Sequence, residues 1–479
     1  MKTFLRELSV GADPLTLYRD WAAAPRSILL ESARPSPKLG SHSLVLKDPF
    51  MSFEAKGRRV RVETHGRVET LEADPFAVLE ALLRKVRSRS EARPGFLTGA
   101  AAGYFGYEAK NLLERLPQTA VDDLGLPDIL LYFYRDGIAV DHERNKASLF
   151  VNDTSAARAK HRLAALEDSV HASRSRGGSH AAVPPGRMGR TGLSVVRPSL
   201  GRRAFCRAVN RAKAAIRAGD IYQANLSRRF SLPVHEPSLA IYEKLRRLNP
   251  SPFFGFMDTG AFEILSGSPE RLVQLNGRSL ETRPIAGTRP RGVNARKDSA
   301  LSAELLLDPK ERAEHVMLVD LERNDAGRVS EYGSVAVDEL MTLEDYSHVK
   351  HIVSNVRGTL RAGLSALDAF RAFFPGGTIT GTPKIRSMEW IDALEPVARG
   401  PYTGSLGYFA FNGDMDWNIL IRSLVIKDGT AHLQTGAGIV ADSEPNREYE
   451  ETLHKAKALF AALGVDSARG RSRTAVRTR

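Results

Sequence analysis

Ser443-Glu444-Pro445-Asn446-Arg447-Glu448-Tyr449-Glu450-Glu451-Thr452-Leu453-His454-Lys455, just after the turn-like run Thr435-Gly436-Ala437-Gly438, is the stretch on which the reading of this chain turns. Ser443 and Pro445 mark a helix start. Glu448, Glu451 and Lys455 then fall at i, i+3 and i+7 and share one helical face. A solvated helix carries the same signature, so the meaning of these two carboxylates and one ammonium depends on what stands upstream.

With 479 residues the chain can bury a large core, in two or three domains or in one composite one. Hydrophobic residues make up 42%, as in globular proteins, and no run approaches the roughly 18 uncharged apolar residues of a membrane span. The opening Met1-Lys2-Thr3-Phe4-Leu5-Arg6-Glu7 lacks a signal-peptide core, so the expected location is the cytoplasm. A single cysteine, Cys206, excludes an intramolecular disulfide and a multi-cysteine metal site, and its setting on an apolar helix side reads as a small buried residue.

The net charge of +13 raises the question of nucleic acid. Residues 171–190 hold four arginines and no acid, and residues 466–479 hold five arginines and one aspartate. Most of the excess thus lies in segments too polar to build a core. No aromatic-basic interleaving or zinc spacing accompanies it. A basic nucleic-acid scaffold is the reading from another class, and it predicts steeply salt-sensitive binding.

Along the chain, residues 1–170 read as mixed strands and helices, 171–198 as a linker or disordered loop, 199–465 as the chemical region and 466–479 as a basic disordered tail. Alternation predicts strands at 43–46 and 60–63, further strands at 129–134 and 147–151, and an amphipathic helix from Pro75 to Val86. A helix ending near Val170 precedes the linker. The run Gly99-Ala100-Ala101-Ala102-Gly103-Tyr104-Phe105-Gly106-Tyr107 lacks the spacing of a phosphate loop and predicts close packing between strands.

From Ser199 onward short polar motifs crowd the ends of elements, where function tends to sit. They are Ile221-Tyr222-Gln223-Ala224-Asn225-Leu226-Ser227, Asn249-Pro250-Ser251-Pro252-Phe253, Ser266-Gly267-Ser268-Pro269-Glu270-Arg271 and Thr282-Arg283-Pro284-Ile285-Ala286-Gly287-Thr288. Lys310-Glu311-Arg312-Ala313-Glu314-His315, Tyr346-Ser347-His348-Val349-Lys350-His351 and Phe374-Pro375-Gly376-Gly377-Thr378-Ile379-Thr380-Gly381 follow. In this order they resemble the chorismate-utilising enzymes, among them component I of aminodeoxychorismate synthase and of anthranilate synthase. The resemblance covers Ser199 to about Leu463 closely and residues 10–150 loosely. It implies an α+β fold, an anthranilate synthase component I-like sandwich of large antiparallel sheets flanked by helices, with the active site between two subdomains.

It further implies one Mg2+ ion held by Glu314 and Glu451 with Glu448 beside them, a hard cation that keeps waters and takes one or two carboxylates plus an anionic substrate. As a Lewis acid the ion polarises the ring carboxylate for attack at C2. Thr288, Tyr402, Arg422 and Lys455, with backbone N–H groups around Gly436 and Gly438, match positions that bind the substrate dianion, for which a guanidinium fork and an ammonium are suited. Glu270 matches the general acid for the departing C4 hydroxyl. His351 matches a histidine used in later proton handling, with His348 structural.

Gln223 stands where the water-using cousins carry a lysine base, and a carboxamide cannot deprotonate water. Ammonia is then the expected nucleophile. Cys206 lies in no Gly-x-Cys-x-Gly elbow, so a separate glutamine amidotransferase subunit is the implied source. Asn225, Arg271 and the 375–381 run favour aminodeoxychorismate as product. Ala286 favours anthranilate, because several aminodeoxychorismate synthases use a lysine there as a covalent nucleophile. Leu29-Leu30-Glu31-Ser32 also resembles the segment through which anthranilate synthase senses tryptophan. The sequence leans to aminodeoxychorismate synthase.

Overall fold

Strand-forming runs account for most of the scaffold. Ile129-Leu130-Leu131-Tyr132-Phe133-Tyr134 is buried along its whole length, the pattern of a strand covered on both faces. The computed structural model describes residues 1–9, 11–33, 39–88, 98–177, 196–345 and 349–465. Among these residues the strands form two twelve-stranded sheets.

The first sheet runs in the order Lys2–Leu8, Lys146–Asp153, Asp136–Asp141, His42–Leu46, Ser27–Glu31, Phe253–Asp258, Phe262–Ser268, Ser423–Lys427, Thr430–Ile439, Gln223–Pro233 and Arg197–Pro198, with Gly381–Thr382 beside Gln223–Pro233. The second runs Ile285–Pro290, Val349–Thr359, Ser279–Thr282, Arg271–Asn276, Met415–Asn418, Ser405–Ala410, Ala100–Phe105, Ile129–Tyr134, Met51–Lys56, Arg59–Thr64 and Arg67–Glu72, with Ala336–Asp345 beside Val349–Thr359. Neighbouring strands are antiparallel across the joins between chain halves: Ser27–Glu31 pairs with Phe253–Asp258, and Ala100–Phe105 with Ser405–Ala410. Each half of the sequence therefore supplies strands to both sheets.

An aromatic knot of Phe105, Phe370, Phe409 and Trp417 fills part of the core, with ring centroids 4.4 Å apart for Phe105–Phe370 and 4.9 Å for Phe409–Trp417. Burying such a side chain contributes roughly 1.5–3 kcal/mol. Gly103 shows why small residues line this part of the sheet: its φ is +155°, and a Cβ there would stand 2.1 Å from the Leu130 carbonyl oxygen.

The Pro75–Val86 helix forms as its periodicity predicts, capped by Asp74, whose carboxylate accepts from the Phe76 N–H. Two helix ends differ from the sequence reading. The helix expected to stop near Val170 runs as Ala156–Gly177, because His171 to Arg176 contains no breaker and Gly177-Gly178 does. At the other helix, Pro445–Ala462, the cap position is Glu444, and Ser443 instead accepts the Val440 N–H. Cys206 is half-buried, its thiol facing the Pro445 carbonyl at 3.5 Å. Residues 178–195 of the linker and the 466–479 tail lie outside the described residues. Among those that are described, no helix is long and apolar enough to cross a membrane.

The Pro445–Ala462 helix is clamped onto the first sheet by Arg228. That guanidinium is buried, stacks 3.8 Å over the Tyr449 ring and donates from Nε to Thr452 Oγ1 at 2.9 Å. Tyr449 and Thr452 alternate with Glu448 and Glu451, so the clamp on one face fixes where the other face points.

Candidate active site

Four elements meet at one cleft. The strand Gln223–Pro233 pairs with Thr430–Ile439, setting Ser227 opposite Gly436 and Asn225 opposite Gly438. The sequence reading takes Thr435 to Gly438 as turn-like, but the run lies inside a strand, and its glycines serve to keep the surface low. A Cβ on Gly438 would stand 2.6 Å from Gln223 Nε2 and 3.7 Å from Glu314 Oε1. A Cβ on Gly436 would stand 3.0 Å from the Tyr402 hydroxyl.

Lys455 Nζ donates to the Gly436 carbonyl at 3.0 Å and pairs with Glu451 at 2.7 Å. In an antiparallel strand the N–H and C=O of one residue face the same side. The Gly436 N–H, and that of Gly438 two residues on, therefore face the side from which Lys455 approaches. Arg422 comes to this side too, donating from Nη1 to the Lys455 carbonyl at 2.7 Å, and its backbone is left-handed at φ +53°. Strain of this kind concentrates at functional sites. Burial lowers the Arg422 pKa, with Tyr402 and Glu451 pulling the other way, and no carboxylate among the described residues lies within ion-pair distance of it. A cation so placed is suited to an incoming anion.

Opposite lies Glu314, on the helix Pro309–Gly327, and Gln223 Nε2 donates to its Oε1 at 3.4 Å. The Gln223 oxygen is buried and makes no hydrogen bond to a described residue. Burial raises the Glu314 pKa, and the neighbouring Glu311 and Glu451 raise it further against Lys310 and Lys455. Glu448, buried, is raised by burial and by Glu451 while Ser443 lowers it. At Glu451 burial is outweighed by Lys455, with Lys310 and Arg422 adding to it, and the pKa falls. The two chain regions thus do bring Glu314, Glu448 and Glu451 into one electrostatic neighbourhood.

No three His, Cys, Asp or Glu side chains among the described residues stand close enough to hold a metal ion unaided. The donor set still suits magnesium, which takes only one or two protein carboxylates when water and an anionic substrate complete its shell. The carboxyls are all oxygen donors, and a divalent cation would offset the burial, and relieve the repulsion added to it, that raise Glu314 and Glu448.

Glu270 sits apart from this group. It follows Phe262–Ser268, is 6% exposed, and its Oε1 makes no hydrogen bond to a described residue. Burial pushes its pKa up to about 7, against the Thr378 hydroxyl, the Ile285 amide and Lys455, which pull it down. At neutral pH such a carboxyl keeps much of its proton. His351, in the strand Val349–Thr359, pairs with Thr288 in the register. Its Nδ1–H donates to the Gly287 carbonyl at 2.9 Å, since a carbonyl can only accept. Burial lowers its pKa, so the ring is neutral at pH 7. His348 and the Thr288 side chain lie outside the described residues. Ala286 is buried beside this strand.

Sequence reasoning assigned no role to Lys310, to Thr378 or to Glu322. Lys310 and Thr378 stand inside quoted motifs and touch the site's electrostatics, a signal visible only once the fold places them. A separate hollow of about 290 Å3 contains none of the site residues and is lined by Leu30, Glu31, Pro252, Phe253, Arg271 and Asp416, among others.

The profile of the chorismate binding enzymes matches residues 28–461, and the chain belongs to that family. Anthranilate synthase component 1 of Thermus thermophilus is 44% identical over 471 residues, covering 98% of each chain. Aminodeoxychorismate synthase component 1 of Bacillus subtilis is 41% identical over 438 residues, covering 91% of each. Among solved structures, anthranilate synthase component I from Streptococcus pneumoniae superposes with a TM-score of 0.75 at 34% identity, covering 88% of this chain and 92% of that one. The antiparallel two-sheet fold expected from the motifs is thereby borne out.

Proposed function

We propose that this chain aminates chorismate as component I of an anthranilate synthase, giving anthranilate and pyruvate. The observation that carries the amination is Gln223: a buried neutral carboxamide, bonded to Glu314, stands where the water-using cousins carry a base. The product preference departs from the lean of the motifs. Relatives of the anthranilate kind match over nearly the whole chain, and Ala286 offers no nucleophile for a covalent route. Arg271, counted for the other product, turns away from the cleft and binds Asp416 through two contacts of 3.0 Å beside the separate hollow. Leu30 and Glu31 of the tryptophan-sensing-like segment line that same hollow. Asn225 keeps aminodeoxychorismate as the second reading.

In this reading Arg422, Lys455, Tyr402 and the Gly436 and Gly438 amides hold the two substrate carboxylates. Glu314 and Glu451, with Glu448 behind them, hold Mg2+, which when bound supplies Lewis acidity at the ring carboxylate. Glu270 gives its proton to the departing C4 hydroxyl, which leaves as water. Ammonia from a separate glutamine amidotransferase subunit reaches C2 past Gln223. His351, neutral, takes the later ring proton as pyruvate is lost.

The test is incubation of the purified chain with chorismate, magnesium and ammonium. Fluorescent anthranilate appearing without any added enzyme supports the reading. Product that becomes p-aminobenzoate only on adding a lyase moves the assignment to the second reading, and isochorismate would overturn amination.

A further inference from the structure

Glu322 is a buried carboxyl that none of these roles uses. It stands two turns beyond Glu314 on the Pro309–Gly327 helix, 3% exposed. Its Oε2 accepts from the Thr282 hydroxyl at 3.1 Å, and a Cβ on Gly377 would lie 3.5 Å from its Oε1. Ile285, three residues beyond Thr282, and Thr378, next to Gly377, are the neighbours that act on the Glu270 carboxyl and lower its pKa. The two carboxyls therefore share one dry wall behind the cleft.

One turn further along the helix, buried Asp325 is ion-paired to Lys384 at the start of the Lys384–Leu394 helix, and the Lys384 side chain is 15% exposed. Asp325, Lys384 and Glu270, with Thr282, face Glu322 from the elements around it, and Arg328 lies beyond Asp325. Burial first, then Asp325 and Glu270, push the Glu322 pKa up to about 8, with Lys384 and Thr282 pulling back. A buried carboxyl that forms no ion pair with a described residue, its nearest cation Lys384 being paired to Asp325, costs several kcal/mol when charged, so at pH 7 it holds a proton.

Resting on the reading of Glu270 as general acid, we propose that Glu322 is the proton store that reloads Glu270 between turnovers, and that the Asp325–Lys384 pair links the store to solvent. When the C4–O bond breaks, the Glu270 proton leaves with the hydroxyl as water, and Glu270 remains as a carboxylate with little access to bulk water. The Glu322 O–H gives its proton to that carboxylate. The Glu322 carboxylate, held by the Thr282 hydroxyl and the field of Lys384, then regains a proton from solvent. No oxidant or further reactant is needed.

The experiment compares single-turnover and steady-state conversion of chorismate with magnesium and ammonium in wild type and Glu322→Gln. Glu270 starts loaded, so the expected single-turnover rate is unchanged while steady-state kcat falls about tenfold. The deficit is largest near pH 7, where Glu322 still holds its proton, and narrows towards pH 9 as the wild-type store itself empties. Thr282→Val, which leaves the carboxyl in place, shows a smaller change of the same kind and keeps the test available should Glu322→Gln not fold. Steady-state kcat equal to wild type overturns the proposal. So does an equal loss in both regimes, which would mark simple structural support. Wild type that never converts chorismate defeats the general-acid reading itself, a result distinct from either.

Discussion

Glu270 and Glu451 are the same functional group on opposite walls of one cleft. Glu270 is sealed behind strand ends with an oxygen that finds no donor among the described residues, and burial lifts its pKa to about 7. Glu451 stands at the mouth in contact with Lys455, and there the cation prevails over burial and lowers the pKa. Desolvation without a partner makes an acid; desolvation with a nearby cation makes a permanent anion. Side-chain chemistry alone does not separate the two, and their surroundings do.

The hardest blow to this contrast falls on the dry wall. Glu270→Gln removes the transferable proton and should lower kcat about 10³-fold with chorismate KM little changed, read by steady-state kinetics. Activity within tenfold of wild type would remove Glu270 from the chemistry. The same variant should fold more stably at high pH. Because the folded carboxyl binds its proton more tightly than the unfolded one, its stabilising share is complete below about pH 4.5 and lost as pH rises through about 7. Glutamine escapes that loss, so urea unfolding at pH 8 should favour the variant by up to about 3 kcal/mol and at pH 4 by close to nothing.

On the wet wall, Glu451→Gln and Glu314→Gln should each lose on the order of 10² in kcat/KM together with the dependence on magnesium concentration. Full magnesium-dependent turnover in either would separate these carboxylates from the metal. Arg422→Met should raise the KM for chorismate about 10- to 100-fold, as expected for charge-assisted bonds worth about 1.5–3 kcal/mol. The smallest effect belongs to a charge on the same helix that faces water. Arg447 pairs with Glu444 at 3.0 Å with its side chain 81% exposed, and Arg447→Ala should leave KM unchanged and shift stability by less than about 0.5 kcal/mol.

How far the sequence reaches differs for the two walls. Helical spacing places Glu448, Glu451 and Lys455 on one face without any structure, because an i, i+3, i+7 pattern is local. The Pro75–Val86 helix is legible for the same reason. Strand order is not, since the pairing of Ser27–Glu31 with Phe253–Asp258 joins residues more than two hundred positions apart and leaves no periodic trace. Glu270 and Glu314 are legible only through the motif resemblance. Glu322 stays hidden because the Pro309–Gly327 helix reads as charged all round, and only packing against Thr282 and Gly377 turns one of its carboxyls inward.

The interleaving of the two sheets also governs how the molecule comes into being. The strand Gln223–Pro233 waits for Thr430–Ile439 to complete its ladder, and the second sheet needs Ser405–Ala410 to join Ala100–Phe105. During synthesis the early strands must stand with open edges, a state prone to sticking to its own kind, until nearly the whole polypeptide has emerged. Cutting the chain near residue 200 would therefore leave two pieces, each without strands that both sheets need, not two smaller proteins.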